Sequence, residues 1–255
     1  MKMKHLFENW RKYLEEELSG KQAIVYHGSR LAPDKLLPIL MGGQYAAGRG
    51  SGKTQYGKGI YTILDPDASS KVFKGSHYGH HIYKLKVNLD GFIIFDPDIA
   101  KEVYGDSSLS IADQLRRLGK EEVIEEIFKD VEGRDVSDHD ALMQVRSREA
   151  MDSPLEIDLV DGSPRGWHLK AQEYSTVLEK HVNGMAFTAG SDGRIVVIYR
   201  PELVAPIAHA EHPGSGELSD ERADRMIDRG EVGDSPQGRA YAEKFRGLNW
   251  QEVKA

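Results

Sequence analysis

Three stretches of the chain hold residue types at spacings that bear on chemistry. Ala47 to Thr54, AGRGSGKT, fits a loosened phosphate-loop pattern in which the first glycine is alanine. Such a loop cradles phosphates only when a buried strand runs into it and a helix leaves it. Here GGQYA precedes it and QYGKGIY follows, so neither element is present, and a flexible glycine-lysine loop covering a ligand is the better reading. The second stretch is HYGHH, with His77, His80 and His81, and with His168, His181, His209 and His212 downstream. No HExxH pattern converges on a metal, so these read as strand-edge and surface histidines, and no metal is expected. The third is a pair of segments, Val25-Tyr26-His27-Gly28-Ser29-Arg30 and Tyr56-Gly57-Lys58-Gly59-Ile60-Tyr61. His27 ends a β-rich run and can hydrogen-bond a sugar hydroxyl, Gly28 can bring bare backbone against an amide, and Tyr61 can stack on a flat heterocycle. Taken singly, a strand-end histidine is commonly structural and a tyrosine after glycine is commonly core.

The elements that must hold these residues follow from periodicity. Residues 5–18 carry Leu6, Trp10, Tyr13, Leu14 and Leu18 at helical spacing, an amphipathic N-terminal helix expected to dock on the main body. The run from Ala23 to Ser29 reads as a strand, Pro33 to Met41 as a helix closed by Gly42-Gly43 despite Pro38, and Gln44 to Lys58 as a loop. Gly59 to Thr62 is extended, and Asp67 to Phe73 helical with Asp67 as its cap. HHIYKLKVNLDGFIIFD alternates as two strands or one bent strand. Asp98 to Ser147 turns helical through Ile111, Leu115, Val123, Ile124, Ile127 and Val131; residues 148–168 read as a loop or linker, and a helix follows near Lys170–His181. Two short strands, near Met185–Thr188 and Arg194–Tyr199, are joined by AGSDG. Strand-rich blocks at 23–97 and 183–207 thus flank a helical block, which makes the chain α+β. The domain reading is an amphipathic helix at 1–20, a domain at 21–207 with a helical insertion at about 98–168, and a polar extension at 208–255.

Composition bounds the classes of function. The chain has 255 residues and a formal charge of -7, with 39% hydrophobic and 29% charged residues, as in a globular protein that buries a core. The absence of cysteine excludes a disulfide scaffold, a thiolate metal site and a cysteine nucleophile. No apolar run approaches the ~20 residues that span a bilayer, and the N-terminal segment reads as lacking a signal peptide, so a cytoplasmic location without membrane contact is expected. The acidic balance disfavours coating of nucleic acid. Twenty-six glycines, many of them between Gly42 and Gly59, point to a loop built for close approach.

Together, in this order and spacing, HGSR and YGKGIY resemble the motifs of the diphtheria-toxin-like ADP-ribosyltransferases, closest to the poly(ADP-ribose) polymerase catalytic domain. The resemblance is specific over 23–97, weaker over 183–207 and absent elsewhere. It implies an ADP-ribosyltransferase fold, two small split antiparallel sheets with NAD in the cleft between them. It implies roles as well: His27 on the NAD ribose, Gly28 on the carboxamide, Tyr61 stacked on nicotinamide, and Ser29, Tyr56 and Gly59 lining the cofactor. After Tyr61 the family has an acidic residue, a serine and a second aromatic. Asp65, Ser70 and Phe73 fill those places with one inserted residue; without it Ser69 takes the serine place and the aromatic is lost, with Val72 in its position.

The third motif departs from the family. Where the family has a glutamate opening a strand, aligning Ile195-Val196-Val197-Ile198-Tyr199 puts Ile195, a His-Tyr-Ile triad similar to the mono-ADP-ribosyltransferase branch. A glutamate there stabilises the oxocarbenium-like transition state and polarises the hydroxyl that extends a chain. Asp192 in the AGSDG turn is the first substitute, with Glu202 and Glu173 as alternatives. The resemblance therefore implies NAD as substrate, release of nicotinamide, and transfer of one ADP-ribose to a macromolecular acceptor, a protein rather than nucleic acid, by a monomer. The alternative is a non-catalytic module that binds NAD or ADP-ribose. The opening residues MKHLFENWRKYL also resemble those of large tailed-phage proteins, which makes a phage-infected bacterial cell the expected setting.

Overall fold

The computed structural model describes residues 21–41, 55–64, 81–133, 148–156, 165–189, 193–211 and 248–253. The expected helices at 5–18 and 67–73 lie outside them, as do residues 42–54 of the glycine-rich stretch. Eight strands run as β1 (Gln22–Ser29), β2 (Ile60–Ile63), β3 (His81–Asn88), β4 (Phe92–Ile94), β5 (Gly184–Thr188), β6 (Arg194–Ile198), β7 (Val204–Glu211) and β8 (Gln251–Glu252). The helices with described bounds are α1 (Pro33–Met41), α2 (Pro97–Tyr104), α3 (Ile111–Arg117), α4 (Glu122–Glu132) and α5 (Arg165–His181). A 3₁₀ turn, Pro201–Leu203, precedes β7. The chain is α+β.

The strands form one sheet in the order β4-β5-β6-β2-β1-β3-β7-β8, not two. Nor is it wholly antiparallel, because β4 pairs with β5 in parallel, Phe92 opposite Gly184 and Ile94 opposite Ala186. The sheet nonetheless has a weak line. Among the described residues, β1 and β2 share the single rung Tyr26–Ile63, whereas β1 pairs with β3 from Gln22–Asn88 to Ser29–His81. The sheet is two four-stranded halves meeting at this seam.

Alternation explains β3, where Tyr83, Leu85 and Val87 are buried on one face, and Ile82 is buried on the other. β3 and β4 are separate strands and not a hairpin. Gly91, with φ 77°, sits against the Asn183 side chain, and its carbonyl accepts the Asn183 N–H, which carries β4 to the opposite edge beside β5. There Gln114 of α3, fully buried, closes the edge. Its Nε2 donates to Ile94 O at 2.8 Å and its Oε1 accepts Ile94 N–H at 2.7 Å, so one side chain takes the place of a neighbouring strand.

α2 is capped by Asp96, whose side chain accepts Ile99 N–H, and it ends on Gly105 with φ 74°. α3 is capped by Ser110. The apolar faces of α2, α3 and α4, through Ile99, Val103, Ile111, Leu115, Val123 and Ile127, enter the same core as Phe92, Ile94, Phe187 and Val196. The helical block is therefore packed on the strands rather than set apart from them.

Two readings of the chain are corrected here. Residues 148–168 are not a continuous linker: 148–152 are helical, and α5 begins at Arg165, five residues before the expected start. Trp167, Ala171, Tyr174 and Leu178 are buried along one face of α5, a helical period that Gly166 disguises. The region beyond 207 is not solely a polar extension, since β7 continues to Glu211 and residues 248–253 return to the sheet. β8 pairs with β7, Leu248 is buried, and the Trp250 ring lies 5.9 Å from Tyr26 in a second small cluster with Ile82 and Ala210.

Candidate functional site

The two motifs meet at the seam. His27 is the sixth residue of β1 and only 7% exposed. Past the Tyr26–Ile63 rung the main-chain ladder stops, and the imidazole takes its place: Nδ1 lies 2.9 Å from Tyr61 O. A carbonyl can only accept, so Nδ1 carries the proton and, in the neutral ring, Nε2 is the acceptor. Burial lowers the His27 pKa and outweighs the opposing pull of the Tyr61 carbonyl, so the neutral ring is favoured. A neutral imidazole with Nδ1 committed to Tyr61 O has the chemistry of an acceptor at Nε2.

Tyr61 leaves β2 half-buried, on the face it shares with Ile63. Its hydroxyl accepts Tyr56 N–H and donates to Gly57 O, both at 2.9 Å, which closes a small ring of main chain and side chain. The Tyr56 ring stands 6.4 Å from the Tyr61 ring and 4.4 Å from Phe187. Burial raises the pKa of Tyr61, and the nearby Glu179 charge raises it further against the lowering effect of the Tyr56 N–H, so the hydroxyl keeps its proton.

The turn before Tyr61 needs its glycines. Gly57 has φ 81°, and a Cβ there would stand 2.8 Å from Glu179 Oε2 and 3.0 Å from the Tyr199 ring. At Gly59 a Cβ would stand 2.8 Å from Ile198 O, because β2 comes in tight against β6. Gly28 lies opposite Ile82 in the β1–β3 ladder, and Ser29 Oγ accepts Leu31 N–H at 3.1 Å, turning the chain out of the strand.

Ile195 stands opposite Ile63 and Phe187, and Tyr61 stands opposite Val197. Ile195 and Tyr61 are therefore diagonal neighbours on one face, while His27, one residue past the Tyr26–Ile63 rung, meets Tyr61 at its main-chain carbonyl. Asp192, Ser70 and Phe73 lie outside the described residues, as do Asp65, Ser69 and Val72. Of the other carboxylates, Glu173 is 2.7 Å from the buried Lys170 ammonium, and Glu202 is exposed on the 3₁₀ turn.

α5 supplies what the motifs did not indicate. Glu179 Oε2 accepts Lys58 N–H at 2.6 Å, and Gln172 Oε1 accepts Gln55 Nε2 at 2.9 Å. From the end of β6, Tyr199 donates its hydroxyl to Tyr56 O at 2.9 Å, and burial foremost holds its pKa well above the ordinary tyrosine value. The seven-residue spacing of Gln172 and Glu179, two helical turns on one face, was the available signal. Among the described residues no group of three or more His, Asp or Glu could hold a metal ion, and no helix is long and apolar enough to cross a membrane. Comparison with protein-family models, with curated proteins and with solved structures finds no match to this chain.

Proposed function

We propose that this chain is an NAD-dependent mono-ADP-ribosyltransferase with the fold of that superfamily. The observation that carries the reading is the joining of HGSR and YGKGIY at the seam, where the His27 imidazole replaces a ladder bond to Tyr61. In this reading His27 Nε2 accepts a ribose hydroxyl, Gly28 meets the carboxamide and Tyr61 stacks on nicotinamide. The C1′–N bond breaks, and its electron pair leaves with neutral nicotinamide. The acceptor's nucleophile then bonds to C1′ of the oxocarbenium-like ribose and loses its proton. Isoleucine at 195 offers no carboxylate from that position to polarise a ribose hydroxyl for elongation, so one unit is transferred. Cation stabilisation is left to Asp192 or to a carboxylate of the acceptor, and the net charge of -7 favours a protein acceptor over nucleic acid.

The test is incubation of the protein with labelled NAD and bacterial lysate. Nicotinamide should be released and label should appear on macromolecules, and both should vanish in His27→Ala and Tyr61→Ala. A wild type that neither binds NAD nor releases nicotinamide would sink the reading, as would a His27→Ala protein of undiminished activity. One observation favours the second reading, a module that binds NAD or ADP-ribose without transfer: Ile195 is apolar and Glu173 is tied to Lys170. Calorimetry that finds NAD bound intact would select it.

A further inference from the structure

We propose that Glu179, on a helix that no motif singled out, is a positioning residue that fixes the Tyr61 ring by anchoring the turn to which the Tyr61 hydroxyl is bonded. The path is continuous. The Glu179 carboxylate holds Lys58 N–H at 2.6 Å, a short contact to a charged acceptor. Gly57, one residue earlier, lies flush against the same carboxylate oxygen in a conformation suited to glycine. The Gly57 carbonyl takes the Tyr61 hydroxyl proton, and Tyr56 N–H donates back to that hydroxyl. Two further ties hold the start of the turn: Gln55 to Gln172, and Tyr56 O to the Tyr199 hydroxyl. Neither of these hydrogen bonds reaches Gly57 or Lys58, although the Tyr199 ring also packs against Gly57. Among these hydrogen bonds, the one from α5 that secures the Gly57–Lys58 end is that of Glu179.

The bond from Glu179 goes to the main chain of residue 58, so it constrains the turn whatever side chain stands there. The carboxylate also disfavours ionisation of Tyr61, behind burial as the larger cause, which keeps the hydroxyl a donor to Gly57 O. Loss of Glu179 leaves the sheet and the Tyr199 tie in place and frees the Gly57–Lys58 end. The ring of Tyr61 then keeps its apolar surface and loses its fixed tilt. The effect falls on binding of a flat ring rather than on bond breaking. Only the identity of that ring, nicotinamide, rests on the ADP-ribosyltransferase reading.

The experiment uses the full chain as wild type, Glu179→Gln and Glu179→Ala. Amide exchange is followed at Lys58, with Leu85 of β3 as the fold reference, alongside the NMR resonances of the Tyr61 ring and the kinetics of nicotinamide release. Glu179→Ala should speed Lys58 exchange about tenfold relative to Leu85 and shift the Tyr61 resonances. It should also raise KM for NAD about fivefold or more with kcat within about twofold. Glu179→Gln, which keeps an acceptor in the same place, should restore most of all three. If Glu179→Ala does not fold, Glu179→Met keeps the aliphatic stem, removes the acceptor and takes its place. Unchanged Lys58 exchange overturns the proposal. So does freed exchange with unmoved Tyr61 resonances or an unmoved KM, and so does a Gln variant as impaired as Ala. If the wild type shows no response to NAD while Lys58 and Tyr61 follow the Glu, Gln, Ala order, the ADP-ribosyltransferase reading falls and the positioning role stands.

Discussion

Tyr61→Phe separates the ring of Tyr61 from the two bonds that orient it. The substitution keeps the aromatic surface and removes the hydroxyl that accepts Tyr56 N–H and donates to Gly57 O, each at 2.9 Å. Both partners are main-chain groups of buried residues. If water reaches them, each lost bond costs about 1 kcal/mol; if they stay dry, each costs about 2 kcal/mol. The expected loss is therefore about 2–4 kcal/mol. For a urea slope of about 2–3 kcal/mol/M, the unfolding midpoint should fall by about 1 M. The same variant should raise KM for NAD and leave kcat less affected, because the ring remains and its tilt does not. A midpoint within about 0.2 M of wild type would show that the hydroxyl is not bonded as described. A large loss of stability with an unchanged KM would show that ring tilt has no part in binding.

Three other outcomes follow from particular contacts. The unfolded His27 titrates near 6.5 and the folded one lower, so the unfolded chain takes up the proton first, and stability should decline as pH drops from about 6.5 toward the folded value. His27→Gln should remove that part of the slope, and parallel urea midpoints for the two proteins from about pH 5 to 8 would contradict it. Gln114→Leu conserves volume but strands Ile94 N–H and C=O in the core, at about 1–3 kcal/mol for each group, so thermal unfolding should show a loss of at least 2 kcal/mol; a stability equal to wild type would mean that the edge is satisfied otherwise. Ile195→Glu sets a carboxylate diagonal to Tyr61, at a burial cost of about 1–3 kcal/mol. It should speed nicotinamide release and lengthen the product beyond one unit on a gel, and single-unit product at the wild-type rate would argue against the role given to that position.

Where periodicity is strong and local, the sequence showed the element. β1, α1, β2 and the helices from Pro97 to Glu132 follow from runs whose apolar residues recur at 2 or 3.6. The pairing of β4 with β5 is hidden because a three-residue gap after β3 suggests a hairpin, whereas the contact of Gly91 with Asn183, distant in the chain, redirects the strand. The return of residues 248–253 was hidden because β8 is two residues long and its hold comes from Leu248 and Trp250 against Tyr26. At the site, His27 and Tyr61 were legible because their motifs are contiguous. Glu179 was not, because its partner is a main-chain N–H, which leaves no side-chain signature at position 58. The single sheet is hidden for a related reason: among the described residues one rung and one imidazole bond join halves that otherwise have separate ladders.

That seam is the most thinly bonded line of the described sheet. Parting β1 from β3 would break a ladder eight residues long, and parting β2 from β6 would break four rungs. Parting β1 from β2 would, among the described residues, break one rung and one side-chain bond, and would leave both half-sheets whole. What joins the halves beyond those two bonds is apolar: Val25, Leu36 and Tyr83 on one side share a single core with Ile60, Phe187 and Val196 on the other. The His27–Tyr61 bond therefore lies where the described sheet has the fewest main-chain pairs and depends most on side-chain packing.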